Sequence, residues 1–170
     1  MKKKRTAKRL IKEILTYIVA FTVLSLAVDF WRKRDMPVLD APQIVGVSNK
    51  GERIDVIEIS KYKPVIIYFW ATWCVPCKFV SPTISWISGS DDYEVVGVSI
   101  GSGTNDRVSR FIDAHEYKFS NINDSRGLLG REWGISVTPT IVIVKDGKIE
   151  SVTTGMTTPM GILARAWLAN

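Results

Sequence analysis

Three apolar runs organise the chain beyond residue 43. They are Val65 to Trp70 (Val-Ile-Ile-Tyr-Phe-Trp), Glu94 to Ile100 (Glu-Val-Val-Gly-Val-Ser-Ile) and Thr140 to Val144 (Thr-Ile-Val-Ile-Val). Short runs without polar alternation predict strands buried on both faces. Between them the spacing of apolar positions becomes helical. Cys74–Ile87 predicts a helix with Pro82 as a kink. Asn105–Glu116 places Val108, Phe111, Ile112 and His115 at helical spacing, and Ser125–Trp133 predicts a short helix carrying Leu128 and Leu129. Ahead of the first run, Ile44–Val47 and Arg53–Ile59 are β-prone and flank the turn signal Ser48-Asn49-Lys50-Gly51, which predicts a hairpin. Behind the third run, Lys145-Asp146-Gly147-Lys148 turns the chain into a partner strand, Ile149–Thr154. Thr158-Pro159 then opens a last helix, Met160–Leu168. Alternation of strand and helix predicts parallel pairing of the first two runs, and the final hairpin adds an antiparallel strand. The fold class is therefore α/β: a mixed central sheet flanked by helices, with an N-terminal β-hairpin extension and no internal repeat.

The N-terminal part follows a different pattern. Ile14 to Val28 is uncharged, preceded by seven Lys/Arg within residues 1–12 and followed by Asp29, Phe30, Trp31 and Arg32-Lys33-Arg34. Fifteen helical residues rise only ~22 Å against a hydrocarbon core of ~30 Å. Residues 10–31 reach across if Lys12 and Glu13 snorkel and Trp31 sits at the interface. Three readings compete: a retained single-span anchor, a signal peptide cleaved after Ser25-Leu26-Ala27, and a buried core helix. A core helix would carry a polar stripe, and only Thr and Ser interrupt this run. The aromatic-basic sequence after Ala27 suits a retained helix. The organisation expected is a cytoplasmic basic segment (1–12), a transmembrane anchor (10–31), a linker (32–42) and one domain (43–170). Seven cations before the span and three after it keep the N-terminus cytoplasmic, which puts the anchored domain in the periplasm or at the cell exterior, where cysteines can cycle through disulfide.

Charge sharpens that division. The isoelectric point of about 9.4 invites a nucleic-acid reading. Residues 1–34 hold ten Lys/Arg against two acids, a net of +8, which leaves 13 basic and 15 acidic residues beyond them, a net of −2. The domain has no basic footprint for a phosphate backbone, so no nucleic-acid partner is expected. A hydrophobic content of 46% excludes wholesale disorder, and two cysteines exclude a disulfide-stapled mini-protein.

Those two cysteines stand at Trp73-Cys74-Val75-Pro76-Cys77-Lys78, where the first apolar run gives way to a helix. Cys74 would lie near the N-cap, where the helix dipole and unpaired N–H groups favour a thiolate. Only a thiolate attacks a disulfide. Cys77 falls on the same helix face, close enough to attack a mixed disulfide, and Pro76 restricts the turn between them. Other uses of the pair stay open. A structural disulfide would close almost no loop. A structural zinc site needs about four ligands, and the chain offers two cysteines and one histidine, His115. Two thiolates could hold Cu(I) in a metal-handling module. No metal and no cofactor is expected for the exchange chemistry itself. Val137-Thr138-Pro139-Thr140 is a second signal, since a proline opening a strand forfeits a ladder bond. A cis Thr138–Pro139 bond would present the Thr138 backbone to an extended substrate, and a trans bond at a strand start fits the spacing equally. His115 reads as a surface or boundary residue, Trp86, Trp133 and Trp167 as core or boundary packing, and Lys78 as solvated or as support for the thiolate.

The segment Phe69 to Lys78 resembles the active site of thioredoxin-fold proteins, and Val137 to Thr140 resembles their cis-proline loop. The N-terminal hairpin, anchor and helix around Ser125 are similar to the membrane-tethered TlpA/ResA/CcmG group, and within it to the suppressor-of-copper-sensitivity D proteins. The resemblance implies a thioredoxin fold over roughly residues 39–169 and a protein thiol–disulfide oxidoreductase. Cys74 is then the nucleophile and Cys77 the resolving thiol. Trp73, Val75, Pro76, Thr138 and Pro139 face the substrate. Implied partners are proteins carrying disulfides or thiols and a membrane redox partner that recycles the site, with a link to copper tolerance. The anchored domain and the Val-Pro dipeptide lean towards reduction. Two departures stand out. Tyr68 replaces the buried Asp six positions before the nucleophile of thioredoxins, and Gly101-Ser102-Gly103-Thr104 lacks the loop Glu common in the cytochrome c maturation branch.

Overall fold

The computed structural model describes residues 40–169, together with Glu13 and Thr16. The basic segment, most of the expected anchor and cleavage site, and linker residues 32–39 lie outside the described residues. Among the described residues no helix is long and apolar enough to cross a membrane.

The three apolar runs are strands: β3 (Val65–Trp70), β4 (Glu94–Ile100) and β6 (Thr140–Lys145). Ahead of them β1 (Val45–Val47) and β2 (Arg53–Asp55) form an antiparallel two-stranded sheet, Val45 opposite Asp55. The remaining strands are β5 (Ser120–Asp124) and β7 (Lys148–Thr154), and the central sheet runs β5-β4-β3-β6-β7. β3 pairs parallel with β4, as alternation predicts, and β6 pairs antiparallel with β7, as the final hairpin predicts; β3 also pairs antiparallel with β6. β5 joins β4 in parallel and was not expected.

Among the described residues of the domain, five helices accompany the sheet: α1 (Val56–Ser60), α2 (Val75–Ile87), α3 (Asn105–Ala114), α4 (Leu128–Glu132) and α5 (Pro159–Leu168). α1 corrects the strand expected over Arg53–Ile59. Asp55 caps it, accepting from the Glu58 N–H at 3.1 Å, and the turn buries Val56 and Ser60, which outweighs the strand preference of its Val and Ile residues. α2 continues past Pro82.

β3 is fully buried, and its alternation divides the core. Ile66, Tyr68 and Trp70 meet Val80, Ile84 and Ile87 of α2, Val108 and Ile112 of α3, and Ile162 and Ala166 of α5. Val65, Ile67 and Phe69 face the other way, towards Ile44, Ile54, Val56 and Trp133. The carboxyl end of β3 therefore emerges from a core packed on both sides, and α2 starts there.

Candidate active site

Four residues after β3 ends, Cys74 caps α2. Its backbone is extended (φ −78°, ψ 109°), and its Sγ accepts the Cys77 N–H at 3.2 Å. The sulfur takes the place a Ser or Asp oxygen usually fills, over amides with no intrahelical partner. Pro76 lies in the first turn, where a missing N–H costs nothing. Cys74 and Cys77 are joined in a disulfide, with Cα atoms 5.3 Å apart. Both are buried among the core side chains of this face, Cys74 only 3% exposed and Cys77 1%. Trp73, Val75, Pro76, Lys78 and Phe79 are exposed around them.

Two contacts tie this turn to the loop after β4. The Thr72 N–H donates to Ser102 Oγ at 3.0 Å, and Trp73 Nε1 donates to the Gly101 carbonyl at 3.2 Å. Ser102 Oγ in turn donates to the Ile100 carbonyl at 3.2 Å. A buried hydroxyl thus serves in the loop where the resemblance looks for a carboxylate. The departure at Tyr68 has a similar outcome. Its phenol lies beneath Cys77, 2.9 Å from Ser81 Oγ and 3.3 Å from the Cys77 carbonyl. Burial pushes the Tyr68 phenol well above the ordinary tyrosine range, so it stays a neutral donor.

The Thr138–Pro139 bond is cis, which decides the question that spacing left even. Thr140 Oγ1 donates to the Val137 carbonyl at 2.8 Å, and the Gly155 N–H donates to the Pro139 carbonyl at 2.8 Å. Thr140 pairs with Phe69, so this bond lies at the end of β3 that leads to Cys74. The fold thus brings Trp73, Cys74, Val75, Pro76 and Cys77 into one turn, with Thr138 and Pro139 at the same end of the sheet. His115 is elsewhere. It caps the far end of α3, exposed, with Nδ1 2.9 Å from the Phe111 carbonyl and its ring stacked on Phe111 at 4.1 Å. Trp133 is core, 5.6 Å from Phe69. Trp86 and Trp167, expected as packing residues, are instead 67% and 69% exposed.

Sequence reasoning missed the acceptor role of Ser102 and the exposure of Phe79 and Val137. A serine between glycines reads only as loop, and the exposure of Phe79 and Val137 depends on tertiary packing. Among the described residues no group of three or more His, Cys, Asp or Glu side chains gathers as a metal site. The chemistry available is that of a closed disulfide whose opening leaves one sulfur at a helix N-terminus and the other one turn deeper.

Known proteins resemble this chain in sequence and in fold. The AhpC/TSA family profile matches residues 37–152. A thioredoxin-like protein of Haemophilus influenzae is 33% identical over 162 residues, covering 95% of this chain and 96% of the relative. The thiol-disulfide oxidoreductase ResA of Oceanobacillus iheyensis is 30% identical over 168 residues, covering 92% and 86%. The crystal structure of StoA from Bacillus subtilis superimposes with a TM-score of 0.64 at 27% identity, covering 73% of this chain and 96% of StoA. A shared fold, a matching family profile and relatives matched over nearly their whole length lead to one assignment: this chain belongs to the AhpC/TSA family and is a thioredoxin-fold thiol–disulfide oxidoreductase of the ResA type.

Proposed function

We propose that the domain exchanges disulfides with protein partners outside the cytoplasm, with Cys74 as nucleophile and Cys77 as resolving thiol. In the oxidising direction of its own site, the Cys74 thiolate attacks one sulfur of a partner disulfide. A mixed disulfide forms and the partner's other sulfur leaves as thiolate. Cys77, deprotonated, then attacks Cys74 Sγ, closes the Cys74–Cys77 bond and releases the second partner thiolate. Two electrons have passed to the partner, and the Cys74–Cys77 disulfide of the structure is the product. The reverse sequence oxidises a dithiol partner.

The observation that carries this reading is Cys74 Sγ at the cap of α2, accepting the Cys77 N–H. A sulfur there gains from the helix dipole when ionised. Trp73, Val75 and Pro76 form the exposed rim a partner would meet, and the cis bond offers the Thr138 backbone as an edge for an extended segment. The uncharged run 14–28 with its cationic flanks supports a single-span anchor, with the N-terminus cytoplasmic and the domain periplasmic. A membrane redox partner would then recycle the site, and net reduction of substrates is the favoured direction. The resemblance of the cysteine segment to suppressor-of-copper-sensitivity D proteins supports a link to copper tolerance.

The test is a trap. The Cys77→Ser chain should accumulate partners as dithiothreitol-reversible adducts on Cys74, and Cys74→Ser/Cys77→Ser should show none. Absence of Cys74-linked adducts from the envelope contradicts the mechanism. Copper titration of the reduced chain against a Cu(I) chelator separates exchange from metal carriage: retention of copper without turnover favours the latter.

A further inference from the structure

A second exposed surface lies at the end of the fold remote from the disulfide. α2 leads away from Cys74, and twelve residues at ~1.5 Å each put Trp86 about 18 Å along it. Residues 88–93 then return the chain to the start of β4. The β6–β7 turn is at this end too, because Val65 pairs with Val144. The described domain also begins here: the Ala41 N–H donates to the Gly147 carbonyl at 2.8 Å.

Against this end α5 presents two apolar faces. Ile162 and Ala166 are buried in the core. Met160, Leu163, Ala164 and Trp167, spaced three, four and seven residues apart, line a groove of about 490 Å³ with Trp86 and Tyr93. Met160 is 75% exposed and both tryptophans are about two-thirds exposed. Large apolar side chains left exposed side by side mark a surface that can meet a partner or a lipid.

We propose that this groove is a lipid-contacting face, seated in the interfacial zone of the bilayer that the chain's own anchor enters. The proposal rests on the anchor reading of residues 10–31. Eight residues, 32–39, separate that segment from Asp40 and span at most about 28 Å when extended. On so short a tether the domain stays within its own diameter of the membrane. The end where the described domain begins is also the end that bears Trp86, Tyr93, Met160 and Trp167. Trp and Tyr beside aliphatic side chains are the residues that settle at a membrane–water interface. Asp92 at the rim, next to Asp91, favours neutral over anionic headgroups. Seated this way, the Cys74–Cys77 turn points away from the lipid, open to periplasmic partners.

The test reconstitutes the full chain into phosphatidylcholine vesicles whose acyl chains are brominated near the headgroup. Tryptophan quenching is compared for the wild type, Trp31→Phe and Trp86→Phe/Trp167→Phe. Both substituted face residues are exposed, so the fold is retained, and circular dichroism checks it. The proposal expects the double variant to lose about two-thirds of the quenched amplitude, because two of three tryptophans within reach of bromine are gone. If only Trp31→Phe loses quenching, the anchor reading stands and the face proposal is overturned. If the wild type neither floats with vesicles nor is quenched, the anchor reading fails and the face proposal falls with it. Unquenched face tryptophans in a particle whose mass halves in the double variant would assign the groove to a second copy of the chain, which also overturns it.

Discussion

Replacing Ser102 by alanine probes the seat of the cysteine turn. Ser102 is 2% exposed, and its Oγ is the acceptor for the Thr72 N–H at 3.0 Å, two residues before Cys74. Thr72 is itself 8% exposed, and its own hydroxyl has no hydrogen-bond partner. Alanine therefore leaves a buried amide donor unpaired in a place already short of acceptors. An orphaned buried donor costs ~1–3 kcal/mol, more than the ~1 kcal/mol net value of an ordinary hydrogen bond. Trp73→Phe removes the neighbouring tether to Gly101, but Trp73 is 63% exposed and water can replace the bond. Its cost should stay within ~0.5 kcal/mol. Urea unfolding of the oxidised chain separates the two. With a slope of ~1–3 kcal/mol per molar, Ser102→Ala should lower the midpoint by roughly 1 M, while Trp73→Phe should hardly move it. Equal midpoints for Ser102→Ala and wild type would refute the view that this hydroxyl anchors the turn.

Other positions give independent checks. Gly97 lies between Tyr68 and Asn121 in neighbouring strands, and a Cβ there would sit 2.8 Å from Asn121 Oδ1 and 2.9 Å from the Phe119 ring. Gly97→Ala should cost ~1–3 kcal/mol and weaken the 2.8 Å bond from Trp70 Nε1 to Asn121. A melting temperature equal to wild type would count against that packing. Burial raises the phenols of both Tyr68 and Tyr117, so the folded state keeps protons that unfolded tyrosines release above about pH 10. Stability should be intact below that pH and fall above it, and Tyr68→Phe should flatten part of the fall, leaving the share of Tyr117. An unchanged alkaline slope in urea titrations would show that Tyr68 is not held neutral.

The site was more legible in the sequence than the sheet around it. Val65–Trp70 and Glu94–Ile100 announce themselves because both faces of these strands are buried, and a cysteine pair following such a run marks the helix start. β5 is hidden because Ser-Asn-Ile-Asn-Asp has weak strand preference. Hydrogen bonds hold it instead: the Asn121 side chain accepts from Trp70 and donates to Ser99 Oγ at 3.0 Å, and its backbone N–H donates to Asn49 Oδ1 at 2.8 Å. Those partners are 22 to 72 residues away, beyond any local pattern. α1 was misread for the opposite reason. Its β-branched residues suggest a strand, and only the Asp55 cap and burial of Val56 and Ser60 turn it into a helix. Trp86 and Trp167 show the limit of composition, since apolar character does not reveal that both remain outside the core.

The central claim is that the sulfur capping α2 is the attacking one. Its most direct test is alkylation of the reduced chain at neutral pH, with the modified cysteine located by mass spectrometry. Cys74 should react first and markedly faster than Cys77, which lies one turn deeper. Equal rates, or Cys77 reacting first, would contradict the account.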